Sequence, residues 1–508
     1  MFNKVLIANR GEIACRIILA CRELGVASAA LFSDADQDMP WVRLADESFH
    51  LPGVTAAETY LNQTAVLDIA VQCGAAAIHP GYGFLSENPE FAEACAARGI
   101  TFIGPSPAAM RVLGSKVAAR VLAQQAGAPV IPGVDGADKT LEELEMTANA
   151  MGYPVLIKAS AGGGGKGMRV VQRAEEFADA LQSARSEARS AFGNDHVLIE
   201  KFFTEIHHVE VQVLGDQYGN LVHLYERECS IQRRHQKIIE ESPSPVVSRF
   251  EAQGADLRKR MTAAAVSLAK AANYVSAGTI EFVVDGNGRF YFLEMNTRLQ
   301  VEHPVTEFVT GIDLASWQIR IANGEPLSFR QADIGQNGHA LECRVYAEDP
   351  ANHFLPSIGE ISYYRRPSGP GVRVDDGIQS GTRVSPFYDP MLAKVITHGY
   401  DRDDAVRKMG RALSETAVLG VTSNLPFLRA ILEEKNFQQG HTSTNYIQSH
   451  MAEWQPAVAL SEVERFTIAA AEFLAGDSQR DGGKTAVHDT TFQADPWREV
   501  GSWRNVEC

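Results

Sequence analysis

The sequence has no long apolar run and no cysteine arrangement of the kind that staples small domains or binds zinc. No run reaches the roughly 18 residues that a membrane span needs. The 7 cysteines are odd in number and scattered, and no Cys-x-x-Cys pair occurs. The amino terminus has too short an apolar stretch for a secretory signal peptide. We therefore expect a cytoplasmic protein with reduced thiols that is not embedded in a membrane.

Positive charge is also in short supply. The chain has 47 Lys and Arg against 63 Asp and Glu, which gives a formal net charge of −16. Non-specific binding of nucleic acid requires a large basic surface, so this composition argues against it. Any anionic ligand must instead be bound by a local group of cations. The length of 508 residues predicts about three or four domains at roughly 150 residues each, which is typical of a multidomain enzyme.

Two common nucleotide-binding fingerprints are missing. Residues 3–114 alternate strand-like runs with helical patterns, which predicts a Rossmann-like open sheet of α/β type. Its first turn, residues 9–14, contains one glycine instead of Gly-x-Gly-x-x-Gly, so NAD binding is not indicated. No Walker motif of the form Gly-x-x-x-x-Gly-Lys-Ser/Thr occurs either.

A glycine-rich segment nevertheless follows a predicted strand at residues 154–158. Residues 162–167 read Gly-Gly-Gly-Gly-Lys-Gly, and Lys158 and Lys166 carry positive charge on either side. Glycines without Cβ atoms let backbone N–H groups close on phosphate oxygens. A glycine run alone would more often be a flexible turn, but in this context we interpret it as a phosphate-binding loop.

Two downstream segments support an anion or nucleotide site. The strand at residues 197–203 turns polar at Glu200 and Lys201, which suits a backbone hydrogen-bonding edge for a purine. Residues 232–237 hold three formal cations, ordinarily a solvated surface run. In an acidic protein, beside a predicted strand, this segment is better interpreted as an anion site.

A predicted hairpin at residues 281–294 points to a metal. If its turn is centred on Asn287-Gly288, Glu281 and Glu294 lie directly opposite each other, and Asn296 shares the face of Glu294. Opposed like charges destabilise a sheet unless a cation lies between them. The alternative is two exposed glutamates at the open end of a hairpin. Oxygen ligands near a phosphate loop favour magnesium or manganese.

Three further polar residues alternate along the chain just after the hairpin. Arg298, Gln300 and Glu302 are spaced at i, i+2 and i+4, which places them on one face of an extended segment. A guanidinium and an amide there could clamp bicarbonate while a carboxylate accepts its proton. The competing interpretation is an exposed ladder of ion pairs.

Together these segments resemble the biotin carboxylases, which are members of the ATP-grasp superfamily. The resemblance covers residues 2–448, and its motifs are Ile7–Ala14, His79–Asn88, the glycine run, Glu228–Lys237 and Glu294–Glu307. It implies a Rossmann-like domain at 1–114, an ATP-grasp domain at 115–330 with a mobile lid at about 132–203, a mixed α/β biotin carboxylase domain at 331–450, and a tail or partner-docking linker at 451–508.

The resemblance also implies roles for individual residues. The positions expected to bind nucleotide are Lys116, Lys158, Gly163, Gly164, Gly165, Lys166, Gly167, Glu200, Lys201, His208, Gln232 and His235. The positions expected to bind the metal are Glu281, Glu294 and Asn296. The bicarbonate pocket would consist of Lys237, Arg298, Gln300, Val301 and Glu302, with Glu302 as general base. Arg344 would face the biotin enolate and Tyr82 would contact biotin.

In the implied reaction, bicarbonate deprotonated by Glu302 attacks the γ-phosphate of ATP, and the resulting carboxyphosphate yields carbon dioxide that biotin captures. No Ala-Met-Lys-Met attachment motif occurs, so we expect biotin on a separate carrier protein or domain, a separate carboxyltransferase subunit, and a homodimer. The acyl acceptor stays open. The alternatives are another ATP-grasp ligase and a catalytically silent regulatory subunit that binds nucleotide.

Overall fold

The computed structural model describes residues 1–137, 139–159, 168–192, 194–234 and 236–456, together with Thr467, Ala470 and Ala471. Residues 1–454 form one compact unit, and residues 455–508 form a second. The glycine loop at 163–167, His235 and nearly all of the predicted tail lie outside the described residues. Within the described part of the chain, no helix is both long and apolar enough to cross a membrane.

The first region is an open parallel sheet, as the alternating pattern predicted. Its elements are β1 Lys4–Ile7, α1 Gly11–Glu23, β2 Ala27–Ser33, α2 Pro40–Leu44, β3 Glu47–Leu51, α3 Gln63–Gln72, β4 Ala77–His79, α4 Pro89–Ala97, β5 Thr101–Phe102 and α5 Pro107–Gly114. The strand order is β3-β2-β1-β4-β5. Successive residues of β1 enter different cores because side chains alternate along a strand: Val5 and Ile7 pack on one face, and Leu6 on the other.

A small sheet with its own core follows. Its elements are α6 Lys116–Gln125, β6 Gly133–Asp135, α7 Leu141–Met151, β7 Val155–Ala159, β8 Met168–Val171, α8 Phe177–Phe192 and β9 Val197–Lys201. The strands are ordered β6-β9-β7-β8. Helix α7 begins at a capping box in which Thr140 and Glu143 satisfy each other's backbone N–H groups.

A long antiparallel sheet carries polar residues of the predicted site. Its first part consists of β10 Ile206–Gly215, β11 Leu221–Arg233, β12 Gln236–Ser242, α9 Pro245–Ala252, α10 Leu257–Ala271, β13 Ser276–Asp285, β14 Phe290–Asn296, α11 His303–Thr310 and α12 Leu314–Ala322. The complete sheet has eight strands in the order β14-β13-β10-β11-β12-β15-β22-β20.

The last region continues this same sheet. Its elements are β15 His339–Tyr346, β16 Glu348–Asp349, β17 Leu355–Pro356, β18 Gly359–Glu360, β19 Tyr363–Arg365, β20 Val372–Asp376, β21 Arg383–Val384, β22 Met391–Gly399, α13 Arg402–Glu415, β23 Ala417–Leu419, α14 Leu425–Glu433, α15 Lys435–Gln438 and α16 Tyr446–His450. Short 3-10 turns lie at Ala174–Glu176, Gln331–Asp333 and Pro350–Asn352. Because β12 pairs with β15, the strands before and after residue 330 share one hydrogen-bonded sheet.

Glu241 links this sheet to helix α13 and predicts a pH-dependent stability. Its carboxylate lies 2.7 Å from His339 Nε2 and 2.7 Å from Arg402 Nε. Burial opposes ionisation, but Arg402 and His339 outweigh it and lower the pKa of Glu241 from 4.5 to about 2. Because the folded pKa is depressed, this stabilisation is complete above about pH 4.5 and is lost as pH falls towards 2.

We expect Glu241→Gln to lower the free energy of unfolding by about 2–3 kcal/mol at pH 7 and by clearly less at pH 3.5. Urea unfolding at the two pH values measures the difference, with exposed Glu433→Gln as the control. An equal deficit at both pH values would contradict the assigned ion pairs.

Candidate active site

The predicted site residues converge on one cavity of about 1020 Å³ between the parallel sheet and the long antiparallel sheet. Those that line it are Tyr82, His208, Gln232, Lys237, Glu281, Glu294, Asn296, Arg298, Gln300, Val301 and Arg344. These residues span more than 260 positions of sequence but share a single chamber, which is the first requirement for a common reaction. Glu302 contacts two of the lining residues, Lys237 and Arg344.

A row of charged side chains crosses four neighbouring strands at the floor of this cavity. Glu294 on β14 pairs with Glu281 on β13, Glu281 pairs with Glu210 on β10, and Glu210 pairs with Arg227 on β11. Arg227 donates from Nε to Glu210 at 2.6 Å. Three carboxylates in succession would repel one another, so the row requires cations above it.

Lys237 supplies one of these cations. Its Nζ lies 2.6 Å from Glu210, 2.7 Å from Glu302 and 3.0 Å from Glu281. Burial alone would lower the pKa of Lys237, but the three carboxylates raise it well above its ordinary value. The ammonium is therefore charged at any physiological pH, and each of its three N–H groups has a carboxylate acceptor.

Glu281 and Glu294 lie directly opposite each other, as predicted. The centre predicted for the turn, between Asn287 and Gly288, is wrong by half a residue. Asp285 N donates to Arg289 O, so the loop holds three residues, and near it Phe282 pairs with Phe292. The register then shifts between Phe282 and Glu281. This irregularity at Leu293 adds one residue to β14 and restores the predicted pairing.

The prediction that residues 298–302 form an extended segment is wrong. The chain bends at Arg298 and turns at residues 301 and 302 before α11 begins, and none of these residues belongs to a strand. The side chains still meet: Arg298 Nη1 donates to Gln300 Oε1 at 3.0 Å, and Gln300 Nε2 donates to Glu281 at 3.3 Å. Their convergence follows from the turn and not from strand alternation.

Glu302 is held between two cations. Lys237 Nζ lies 2.7 Å from its Oε1, and Arg344 Nη2 lies 2.9 Å from its Oε2. Burial would raise the pKa of Glu302, but Lys237, Arg344 and Arg227 lower it well below the ordinary value. In the ligand-free geometry Glu302 is thus ionised and weakly basic. Its basicity will increase when an anion draws either cation away.

The opposed carboxylates fit a divalent cation. Glu281 is buried, whereas Glu294 is recessed in the cavity but accessible to water. Partial burial and the neighbouring Glu281 raise the pKa of Glu294, which is the strain that an added cation would relieve. Asn296 Nδ2 donates to Glu281 Oε1 at 2.8 Å, and its Oδ1, the atom that could bind a metal, accepts from Arg298 Nη2 at 3.1 Å. His208 Nε2 lies 3.0 Å from Glu281 and could contribute a ligand atom.

We expect Glu294→Gln to have opposite effects on the stability of the protein without metal and on its response to magnesium. Removing one of two opposed charges should stabilise the ligand-free protein by about 0.2–1 kcal/mol. The increase in melting temperature on addition of magnesium with ADP should shrink at the same time, because one oxygen ligand is lost. A full magnesium response in this variant, relative to Glu433→Gln, would place the metal elsewhere.

The remaining nucleotide candidates lie on the small sheet and on α6. Lys158 Nζ contacts Glu200 Oε2 at 2.5 Å, and Lys201 Nζ donates to Gly152 O at 2.8 Å. Strand β9 lies between β6 and β7, and Lys201 N donates to Pro132 O at 2.8 Å. The backbone edge for a purine at Glu200 and Lys201 stays a prediction. Lys116 opens α6, and its charge partly offsets the rise in the pKa of Glu294 that burial and Glu281 cause.

Tyr82 lies at the opposite wall, in a turn that the first strand fixes. Asn9 Nδ2 donates to Pro80 O and Tyr82 O, each at 2.7 Å. Gly81 has φ +64, and a Cβ there would lie 2.9 Å from Asn9 Nδ2, so only glycine fits. The Tyr82 hydroxyl donates to Glu12. The turn thus presents Tyr82 to the cavity on a rigid support.

Sequence reasoning missed several charged residues of the floor: Glu210, Arg227, Glu240, Arg120 and Lys394. Arg120 contacts Glu200 at 3.0 Å, and Lys394 donates to Val301 O at 2.8 Å. The signal for Glu210 was present, because His208, Glu210 and Gln212 alternate with valines along β10 and so define a polar face. For Arg120 and Lys394 no local pattern existed.

Three family descriptions match successive parts of the chain. Residues 1–110 match the biotin carboxylase N-terminal domain, residues 115–330 match the ATP-binding domain of the carbamoyl-phosphate synthase L chain, and residues 342–449 match the biotin carboxylase C-terminal domain. The fold and the site are those of an ATP-grasp ligase.

Relatives that align with most of this chain identify the family within this class of enzyme. Biotin carboxylase 1 of Bacillus subtilis is 49% identical over 451 residues, which cover 89% of this chain and 99% of that protein. The chain belongs to the biotin carboxylase family. The mitochondrial propionyl-CoA carboxylase alpha chain of Homo sapiens is 50% identical over 88% of this chain, which spans only 61% of that longer protein.

Solved structures of biotin carboxylase domains are also similar to this chain. The biotin carboxylase domain of a thermophilic 2-oxoglutarate carboxylase bound to bicarbonate is 44% identical, with a TM-score of 0.85, over 90% of this chain and all of that one (100%). The biotin carboxylase domain dimer of the Hydrogenobacter thermophilus 2-oxoglutarate carboxylase, with MgADP, ADP and bicarbonate, is 46% identical with a TM-score of 0.83, over 90% of this chain and 99% of that one.

Proposed function

We propose that the chain carboxylates carrier-bound biotin with MgATP and bicarbonate, giving carboxybiotin, ADP and phosphate, as the biotin carboxylase component of a multi-subunit acyl-CoA carboxylase. The observation that carries this proposal is the cation and carboxylate cluster in which Lys237 joins Glu210, Glu281 and Glu302 beside Arg344. Bicarbonate is small and anionic, and it must lose a proton to attack a phosphoryl group. A carboxylate held by displaceable cations suits both requirements.

In this proposal Lys237, Arg298 and Gln300 bind bicarbonate together with the backbone of Val301. The entering anion competes with Glu302 for Lys237, which raises the basicity of Glu302 as it approaches the proton that it must accept. Phosphoryl transfer depends mainly on positioning and charge neutralisation. A magnesium ion held by Glu281, Glu294 and Asn296 would neutralise phosphate charge when bound. His208, Gln232, Lys116, Lys158, Glu200 and Lys201 bind the nucleotide.

Biotin binds between Tyr82 and Arg344 in the same proposal. Arg344 lines the cavity and presents a guanidinium. It stabilises the negative charge that develops on the ureido oxygen when the ring nitrogen gives its proton to the phosphate released from carboxyphosphate. Glu302 and Arg344 are adjacent, so carbon dioxide released near Glu302 would travel only a short distance to biotin. The order of steps would therefore be enforced by proximity.

The proposed setting is the one expected from the sequence. Biotin arrives on a carrier protein or domain, a carboxyltransferase subunit uses the product, two copies of the chain form a homodimer, and the assembly works in the cytoplasm. We propose an acetyl-, propionyl- or related acyl-CoA as the final acceptor. The functional divisions remain those expected from sequence, at 1–114, 115–330, 331–450 and 451–508, with the lid at about 132–203.

The test is ATP cleavage by the purified chain with magnesium and bicarbonate, with and without biotin. We expect stimulation that requires both bicarbonate and biotin, supplied free or on a biotinylated carrier protein. Nucleotide binding without any response to either form of biotin would favour a silent regulatory subunit. Phosphoryl transfer to an amine acceptor without biotin would favour another ATP-grasp ligase.

A further inference from the structure

Two buried carboxyl groups face each other beside Arg344, and the proposed mechanism gives a role to neither of them. Glu240 on β12 and Glu342 on β15 are directly paired residues. Both are completely buried, with 0% exposure. Directly opposite residues of an antiparallel pair have Cβ atoms about 4.5–5.5 Å apart on the same face. The two carboxyl groups therefore share one dry environment.

The carboxyl groups of Glu240 and Glu342 differ in the hydrogen bonds that they accept. Glu240 Oε1 accepts from Arg344 Nε at 2.6 Å. Glu240 Oε2 and both carboxyl oxygens of Glu342 have no hydrogen-bond partner among the residues that the structure describes. The nearby cation Lys394 is already engaged, with Val301 O at 2.8 Å and Glu12 at 3.2 Å. Glu342 thus lies in the interior without a charged contact of its own.

An unpaired ionised carboxylate in such a place is too costly, so a proton must reside on the pair. The charged and titratable groups that act on the two carboxyls are Arg344, Lys237, Lys394, Glu302, Cys229, Cys343 and Tyr346. Among the residues that the structure describes, Glu240 has a direct cation contact, with Arg344, and Glu342 has no ion pair. Burial raises the pKa of both groups, and at Glu240 the hydrogen-bonded Arg344 is the largest opposing influence. The proton therefore belongs on Glu342.

We infer that Glu342 is a neutral carboxylic acid and that Glu240 is the ionised positioning residue that holds Arg344 in place for biotin. This inference rests on the proposed function. When Glu302 accepts a proton it loses its charge, and its ion pair with Arg344 weakens. Glu240 stays ionised because Glu342 already carries the proton of the pair, so Arg344 keeps one anionic anchor and its orientation while biotin reacts.

The test compares two isosteric changes at directly paired positions. Glu240→Gln removes the anchor, and we expect the biotin-dependent kcat to fall by about 100-fold, as for a misplaced reacting group, with unchanged affinity for ADP. Glu342→Gln replaces one neutral group with another and should retain most of the activity. Glu240→Asp, which keeps the charge, should recover part of the loss.

Two further measurements make the outcome decisive. The infrared difference spectrum between wild type and E342Q should contain the carbonyl band of a protonated carboxyl, whether or not E240Q folds, and thermal unfolding reports the folding of each variant. Equal losses in folded E240Q and E342Q, or no such band, would overturn the inference. Absence of biotin-dependent activity in the wild type would instead reject the proposed function.

Discussion

Replacing Lys237 with methionine is expected to be the most damaging single change to this protein. Methionine keeps most of the side-chain volume but leaves Glu210, Glu281 and Glu302 without the ammonium that now lies within 3.0 Å of each. Removing one partner of a buried ion pair costs about 3–5 kcal/mol, because the remaining charge stays buried. We expect a loss of this size in the free energy of unfolding, together with loss of biotin-dependent ATP cleavage.

The pH dependence provides an internal check. Lys237 is among the cations that hold the pKa values of Glu281 and Glu302 below the ordinary 4.5. In the variant these groups will bind protons at higher pH, so the deficit should be largest near pH 7 and shrink as pH falls towards the ordinary carboxyl range.

Urea unfolding at several pH values measures this effect. Lys435→Met, the same substitution at an exposed position, is the matched control and should change stability by no more than about 0.5 kcal/mol. A Lys237 variant as stable as this control would mean that the carboxylate row is neutralised in another way.

Replacing Arg344 with alanine should separate biotin chemistry from nucleotide binding. Arg344 contacts Glu240 and Glu302 and lines the cavity from β15. Loss of one preorganised donor to a developing negative charge typically lowers kcat by about 10²–10³-fold. We expect a decrease of that size in biotin-dependent ATP cleavage, with little change in the affinity for ADP.

Two companion variants sharpen this result. Arg344→Lys keeps the charge but not the planar fork that reaches two carboxylates, so we expect only partial activity. Arg407→Ala removes an arginine whose side chain is 68% exposed and should leave both properties intact. Parallel losses of nucleotide affinity and biotin-dependent activity in the alanine variant would exclude the proposed role of Arg344.

Local sequence patterns predicted many of the site residues, because those residues lie close together in short segments of the chain. The glutamates of β13 and β14 were predicted to face each other, and they do, since a hairpin brings sequence neighbours together. The prediction succeeded although its turn was misplaced, because the irregularity at Leu293 restored the register. A bulge of this kind leaves no clear mark in the sequence.

The convergence of Arg298, Gln300 and Glu302 was also predicted, but from the wrong geometry. A strand would have aligned them by alternation, whereas the structure gathers them through a turn that leads into α11. In this turn Arg298 pairs with Glu87, Gln300 donates to Glu281, and Glu302 pairs with Lys237 and Arg344. Those partners lie in other parts of the chain, so the segment alone could not reveal its conformation.

By itself the sequence determined the class of fold, the parallel first sheet and most members of the site, because strand alternation, turn chemistry and motif spacing are local properties of a chain. Only the tertiary structure decided how their charges are balanced. Lys237 reaches carboxylates from β10, β13 and the turn before α11, and Glu342 becomes a buried acid because β12 happens to place Glu240 opposite it. Electrostatic balance depends on distance and burial, and both are fixed only when strands far apart in sequence pair.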